Sequence, residues 1–292
     1  MTMQFEPIQL DRQSEYRERL ARCGQTASDY SFINLWGWQE EYELTWAWQD
    51  GLVWIKQERP HRALWAPVGD WQAVEWPNAF AEAKETSGQM IRVPHTLLTL
   101  LERRITFQTP PEETRDHWDY LYSIEALIEL KGNRFHKKKN LVNQFKRNYE
   151  FAYLGFGPEL IEQASAMQED WCAWRDCESN DTLTSENNAI ARVLKDWRTL
   201  SAITGGGLLV EGTIVAYTIA EIMPDHTLVI HFEKGCPDIK GGYQAINQMF
   251  LANAPKGPTI VNREQDIGDQ GLRKAKLSYH PVDFIKKYKI EI

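Results

Sequence analysis

The stretch "TLVIHFEKGCPDIKGGYQAINQMF", Thr227–Phe250, begins with the alternation of a strand and ends with the spacing of a helix. In its first part Leu228, Ile230 and Phe232 face one way, and Val229, His231 and Glu233 face the other. From about Tyr243 the residues Tyr243, Ile246, Met249 and Phe250 form an apolar stripe. At the joint, Lys240-Gly241-Gly242 puts backbone amides at a helix N-terminus, where the macrodipole also favours an anion. Glycine lets a ligand approach the backbone closely, so the arrangement suits a phosphate. The same two glycines would also make a tight turn into the helix, and spacing alone leaves both readings open. The stretch has neither the GKS/T of a P-loop nor a full GxGxxG, so neither of those nucleotide folds is expected.

The pattern extends outward in both directions. Upstream, "GLLVEGTIVAYTIAEIM" reads as two strands joined at Glu211-Gly212, a short hairpin. Before it, "PELIEQASAMQEDWCAW" and "SENNAIARVLKDW" carry helical stripes, with Ser185 a candidate N-cap for the second. Downstream, "TIVNRE" reads as a strand on which Asn262 and Glu264 share a face and Arg263 takes the other. A short basic helix, "DQGLRKAKLSY", follows, with Asp266 or Asp269 as its cap, and "PVDFIKKYKIEI" is strand-like. The first half repeats this order. Helices precede "YELTWAWQDGLVWIKQ", a hairpin turning at Asp50-Gly51, and "RALWAPVG", "NAFAEAKETSG", "MIRVP", "HTLLTLLERR" and strand-like "ITFQT" come after it. Two halves with one order of elements predict a duplicated α/β (α+β) module, divided as 1–130 and 131–292.

Composition bounds the function. Hydrophobic residues at 42% and charged residues at 25% are those of an ordinary globular protein. A net charge of −8 excludes a general nucleic-acid or anionic-membrane binder. One basic stretch, "GNRFHKKKNLVNQFKRN", gathers Arg134, Lys137, Lys138, Lys139, Lys146 and Arg147. The N-terminus has no apolar run of signal-peptide length and no segment is long enough to span a bilayer, so a cytoplasmic protein is expected. Cys23, Cys172, Cys177 and Cys236 show no CxxC spacing and read as reduced thiols, and the dispersed histidines predict no metal site. The twelve tryptophans read as core packing before they read as a ligand cage.

Three segments together, "FHKKKNLVNQF", "FEKG…KGGYQAINQMF" and "NREQDIGDQGLRKAKLSYHP", resemble the soluble relatives of the phosphatidylglycerol lysyltransferase C-terminal domain. "SDYSFINLWGWQEEY" and "DYLYSIEAL" resemble that family's N-terminal features, so the likeness covers nearly the whole chain. It implies two tandem GNAT-like (acyl-CoA N-acyltransferase) modules, each a mixed, mostly antiparallel sheet flanked by helices. Relatives with paired modules move an amino acid from aminoacyl-tRNA to a lipid headgroup or a peptidoglycan precursor, whereas ordinary GNAT enzymes use acyl-CoA and an amine.

On this resemblance the donor loop is Lys240-Gly241-Gly242-Tyr243-Gln244-Ala245, against a usual Arg/Gln-x-x-Gly-x-Gly/Ala. Tyr243 stands where the central glycine is expected and crowds a CoA pyrophosphate. The strand Leu228 to Glu233 would supply an oxyanion amide. Glu233 is the candidate base or amine-binding carboxylate, Glu264 its rival, and Tyr279 the acid. Arg273 and Lys276 would hold donor phosphates. His231, Asn262, Arg263 and Asp266, with Lys137, Lys138 and Lys139, are the candidate substrate-binding residues. The implied function is acyl or aminoacyl transfer to an amine or hydroxyl; the alternative is a non-catalytic module that binds a small ligand or peptide on the same fold.

Overall fold

A computed structural model describes residues 3–175 and 181–292, with the side chains of 172–175 outside that description. The readings made above for Cys172, Trp174 and Cys177 therefore lie outside the described residues. The first stretch of chain gives β1 (Glu6–Pro7), α1 (Gln13–Leu20), α2 (Phe32–Trp38), β2 (Thr45–Gln49), β3 (Leu52–Gln57) and β4 (Ala63–Gly69), then α3 (Trp76–Thr86), β5 (Gln89–Pro94), α4 (His95–Glu102) and β6 (Glu112–Glu113). Next come β7 (Asp119–Ser123), α5 (Ile124–Glu129), α6 (His136–Asn148), β8 (Phe151–Gly155), α7 (Pro158–Arg175) and α8 (Asp181–Lys195). The rest gives β9 (Ile203–Val210), β10 (Thr213–Ile222), β11 (Leu228–Gly235), α9 (Gly242–Asn253), β12 (Ile260–Asn262), α10 (Gln270–Leu277), β13 (Asp283–Ile285) and β14 (Lys287–Glu291).

These strands form two seven-stranded sheets, ordered β1-β2-β3-β4-β5-β14-β6 and β8-β9-β10-β11-β12-β7-β13. Each has four strands joined antiparallel, then a parallel pair spanned by a helix: β4 and β5 across α3, β11 and β12 across α9. The hairpins correspond in detail. Asp50 and Gly51 have φ of 52° and 79°, and Glu211 and Gly212 have 52° and 81°, the left-handed pair that matches strand twist in a two-residue turn. The repeat is therefore real at the level of backbone geometry.

The sixth strand breaks the simple order. In the first sheet it is β14, from the end of the chain, antiparallel to β5; in the second it is β7, from the middle, antiparallel to β12. The compact units follow these pairings. One comprises the chain up to Tyr120 with Gln265–Arg273 and Phe284–Ile292, and the other Leu121–Glu264 with Lys274–Asp283. The division expected at 130/131 thus falls ten residues earlier, and the C-terminal segments return to the first unit. A choice of strand partner across the whole chain leaves no mark in local periodicity.

Smaller differences have local causes. "ITFQT" forms no strand, and Ser185 lies inside α8, which already starts at Asp181. The tryptophans pack as expected: Trp46, Trp54, Trp65, Trp71 and Trp76 are buried, and the last three send their indole N–H to Gln57 Oε1, Pro67 O and Trp71 O. No described helix is long and apolar enough to cross a membrane.

The first unit encloses a buried ion cluster. Lys287 donates to Asp29 and, at 2.6 Å, to Asp119, while Arg92 pairs with Asp29 and Ser28 caps Asp119 through its amide and hydroxyl. Burial pushes the Asp29 carboxyl up, but Arg92 and Lys287 outweigh it and hold the group well below the usual range.

Candidate functional site

The second unit gathers most of the expected chemistry where its parallel strands part. β11 and β12 are in register only at Leu228–Val261 and Val229–Asn262. There β12 ends, while β11 runs on to Gly235. Opposite, β10 pairs Ile219 with Phe232 and Ala220 with Ile230, leaving His231 as the extra residue of a bulge. The bulge and the early end of β12 open a wedge at the carboxyl ends of the parallel strands, the usual place for ligands in such sheets.

Glu264 does not share a strand face with Asn262, as the alternation suggested. Its φ is 55°, and its amide donates to Asn262 Oδ1 at 2.8 Å, so the chain turns sharply after β12. That turn brings Glu264 Oε1 to 2.8 Å from Nδ1 of the buried His231. Arg263 points its guanidinium to Glu233, with Nη2 2.9 Å from Oε1. Asn247, one turn along α9 from Tyr243, donates to Oε2 at 2.9 Å, so both Glu233 oxygens are engaged. The Arg263 guanidinium lies 4.8 Å from the centre of the Tyr279 ring, and the Lys138 ammonium 4.1 Å from the same ring. Lys276 donates to the Arg263 carbonyl, and Tyr122 sends its hydroxyl to the Lys276 carbonyl at 2.9 Å.

The electrostatics follow from burial and these partners. Burial pushes the Tyr279 phenol up to about 12, with Arg263 acting against it and Glu233 with it. Burial opposes the charge on Arg263, but Glu233 outweighs it and holds the guanidinium above its ordinary value. Lys138 goes the other way: burial first, then the Arg263 charge, pushes its pKa down. Of the two carboxylates, Glu264 is the more open, with 22% of its side chain exposed against 11% for Glu233.

The glycine turn has a different surrounding from the one anticipated. Gly241 has φ of 83°, and a Cβ there would lie 2.3 Å from the carbonyl oxygen of Leu141 on α6. The backbone of α6 thus accounts for this glycine. Gly242 gives its amide to the Ile239 carbonyl at 3.0 Å, and Lys240 is exposed. Tyr243 lays its ring over Gly235, where a Cβ would come within 3.1 Å, and accepts the Trp171 indole N–H at 3.1 Å. Gln244 reaches the Tyr279 hydroxyl.

Two expected residues belong to the first unit. Arg273 binds Asp266 through Nε at 2.9 Å and Nη2 at 2.7 Å, and Asp116 at 2.6 Å. Asp266 is buried and also receives Tyr120 at 2.5 Å and Arg115 at 3.2 Å. Burial acts to raise its pKa, yet hydrogen bonds from Arg273 and Tyr120 hold it well below the usual range. Asp269, not Asp266, caps α10, accepting the Leu272 amide at 2.6 Å. Lys137 and Lys139 are exposed on α6. Asn247 was not singled out from the sequence, though a buried carboxamide inside the stripe of α9 was its visible signal.

Two sheets of one topology, each with a helix across its parallel pair and the second with a polar wedge beside it, define a tandem α/β protein built on a repeated mixed sheet. Residues 20–291 match the family described as phosphatidylglycerol lysyltransferase, C-terminal, and the chain belongs to that family. It is 29% identical to a conserved protein of unknown function from Bacteroides thetaiotaomicron, with all of both chains covered and a TM-score of 0.90. L-PGS from Bacillus licheniformis superposes with a TM-score of 0.64 at 12% identity, covering 98% of this chain and 92% of that one, a likeness of fold. An uncharacterised protein of Mycoplasmoides gallisepticum is 23% identical over 177 residues, which span 60% of this chain and 56% of that protein.

Proposed function

We propose that this chain transfers an acyl or aminoacyl group to an amine or hydroxyl acceptor, with aminoacyl-tRNA preferred over acyl-CoA as the donor. The observation that carries the reading is the wedge between β11 and the end of β12, where Glu233, Arg263, Glu264, His231 and Tyr279 converge within the family-matched segment. Membership of a lysyltransferase family supports aminoacyl transfer. Against CoA stand the α6 backbone packed on Gly241 and the Tyr243 ring in place of a third small residue.

In this reading Glu264, the more open carboxylate and backed by His231, takes the proton of the attacking amine or hydroxyl. The nucleophile adds to the donor carbonyl, and the β11 backbone beyond Val229, no longer paired by β12, supplies the amide for the oxyanion. Collapse breaks the ester C–O bond of aminoacyl-tRNA, or the C–S bond of a thioester, and Tyr279, protonated throughout the physiological range, gives the leaving group its proton. Glu233, saturated by Arg263 and Asn247, orients these groups.

The test is transfer of a radiolabelled aminoacyl group from charged tRNA, and of acetyl from acetyl-CoA, to a panel of amines. Glu264→Gln and Tyr279→Phe should each lower kcat by about 10²-fold or more while donor binding persists. A second reading, a ligand-binding module without turnover, draws on the full engagement of Glu233. It prevails if donors bind and none is consumed.

A further inference from the structure

Three consecutive lysines on α6 point in different directions. Lys137 and Lys139 are exposed, whereas Lys138 lies on the side of the helix that buries Val142 and Phe145, four and seven positions further on. That side brings its ammonium over the Tyr279 ring, which the Arg263 guanidinium also contacts. Two cations on one buried ring repel each other, and only one of them is answered. Glu233 pairs with Arg263, while Lys138 makes no ion pair among the described residues. Arg263 Nη1 is in addition buried with no hydrogen-bond partner among those residues.

A surplus cation beside a buried unpartnered N–H is costly when nothing else is present. Both costs disappear when one anion accepts from Lys138 and from Arg263 Nη1 together. We propose that Lys138 and Arg263 form the seat for a phosphate group of the donor substrate. Glu233 and Asn247 fix the guanidinium from behind, and Tyr279 is the floor of the seat. A phosphate fits better than a carboxylate, because its tetrahedral oxygens engage a planar fork and a point charge from different directions. The seat is on α6 and the turn after β12, about one helical turn along α6 from the Leu141 carbonyl that packs on Gly241. The inference rests on the reading of the second unit as the transfer module, since it takes the phosphate to be the donor's.

Isothermal titration of the full chain decides it. The ligands are inorganic phosphate, acetate at the same ionic strength, coenzyme A, and an RNA minihelix ending in CCA. The proteins are the wild type, Lys138→Gln, Lys138→Arg, and Lys84→Gln as a loss of the same charge from the exposed face of α3 in the first unit. Phosphate should bind the wild type and Lys84→Gln equally, bind Lys138→Gln about 10-fold or more weakly, and recover in part with Lys138→Arg. Whichever of coenzyme A and the minihelix shows the same dependence on Lys138 is the source of the phosphate. The seat is overturned if the wild type takes up no phosphate, if Lys138→Gln binds it as well as the wild type, or if acetate binds as tightly. Its assignment to the donor is overturned if neither large ligand depends on Lys138. Because these are binding measurements, Lys138-dependent phosphate uptake in a protein that transfers nothing would reject the transfer reading and leave the seat standing.

Discussion

Gly241 and Gly242 are neighbours in sequence with opposite reasons for being glycine. Gly241 combines a left-handed φ with a backbone carbonyl 2.3 Å from where a Cβ would stand, and a carbonyl in a helix cannot swing aside. Gly241→Ala should therefore cost about 3 kcal/mol, the sum of backbone strain and overpacking. Gly242 is helical, and its Cβ would meet only the Ile239 methyl at 3.3 Å, so Gly242→Ala should stay within about 1 kcal/mol of wild type. Urea unfolding of the two variants separates the explanations: a Gly241→Ala protein of wild-type stability that had lost donor binding would restore this turn as a ligand loop. Tyr279 gives the residue-scale pH dependence. Its phenol titrates near 10 when unfolded and about 12 when folded. Above pH 10 the unfolded chain loses the proton that the folded chain keeps, so stability is intact below pH 10 and falls as pH rises toward 12. Tyr279's share is about 2–3 kcal/mol, and Tyr279→Phe should flatten the decline in unfolding free energy across that window. An unchanged slope would mean that the phenol is not held neutral by burial.

Helix α6 shows how one element can carry two kinds of charge. Its lysines Lys137 and Lys139 are exposed, whereas Lys138 is partly buried with its ammonium over the Tyr279 ring. If the donor is aminoacyl-tRNA, its affinity should fall steeply with salt, because a protein of net charge −8 can attract RNA only through local patches. Replacing Lys137 and Lys139 each with Gln should lower the slope of log K against log salt by about 0.7–1 per residue. Binding that ignores salt would remove α6 from the interface. The helix itself was legible, since its basic residues and apolar stripe are local properties of the sequence. So were both hairpins, because Asp-Gly and Glu-Gly supply the two left-handed residues that such turns require. What could not be read was the partner of each side chain. Nothing near Glu233 in sequence announces Arg263 or Asn247, and nothing near Gly241 announces Leu141, a hundred residues upstream. The end of β12 was missed for a similar reason: alternation continues through Glu264, but a hydrogen bond from its amide to Asn262 turns the chain out of the strand.

At the scale of the whole chain, the repeat is a repeat of sheets and not of contiguous segments. Each sheet needs a sixth strand beside its parallel pair, and each obtains it from outside the run that supplies the first five: β14 for the first sheet, β7 for the second. A cut at 130/131, where composition changes and a basic helix begins, therefore leaves the C-terminal fragment without β7. That strand carries the buried Tyr120 and Tyr122 and pairs Leu121, Tyr122 and Ser123 with Asn262, Val261 and Ile260. Losing it exposes the edge of β12 and removes the aromatic burial of Tyr122, about 2–3 kcal/mol, Tyr120 being packed in the first unit. It also removes the support beneath the turn that carries Arg263 and Glu264. A fragment of residues 119–285 keeps every strand of the second sheet, and one of 131–292 does not. The first should unfold in a single cooperative urea transition, and the second should show a broad transition at a midpoint lower by several kcal/mol of stability. Circular dichroism and tryptophan fluorescence on the two fragments measure this directly, and equal midpoints would mean that the second sheet closes without β7.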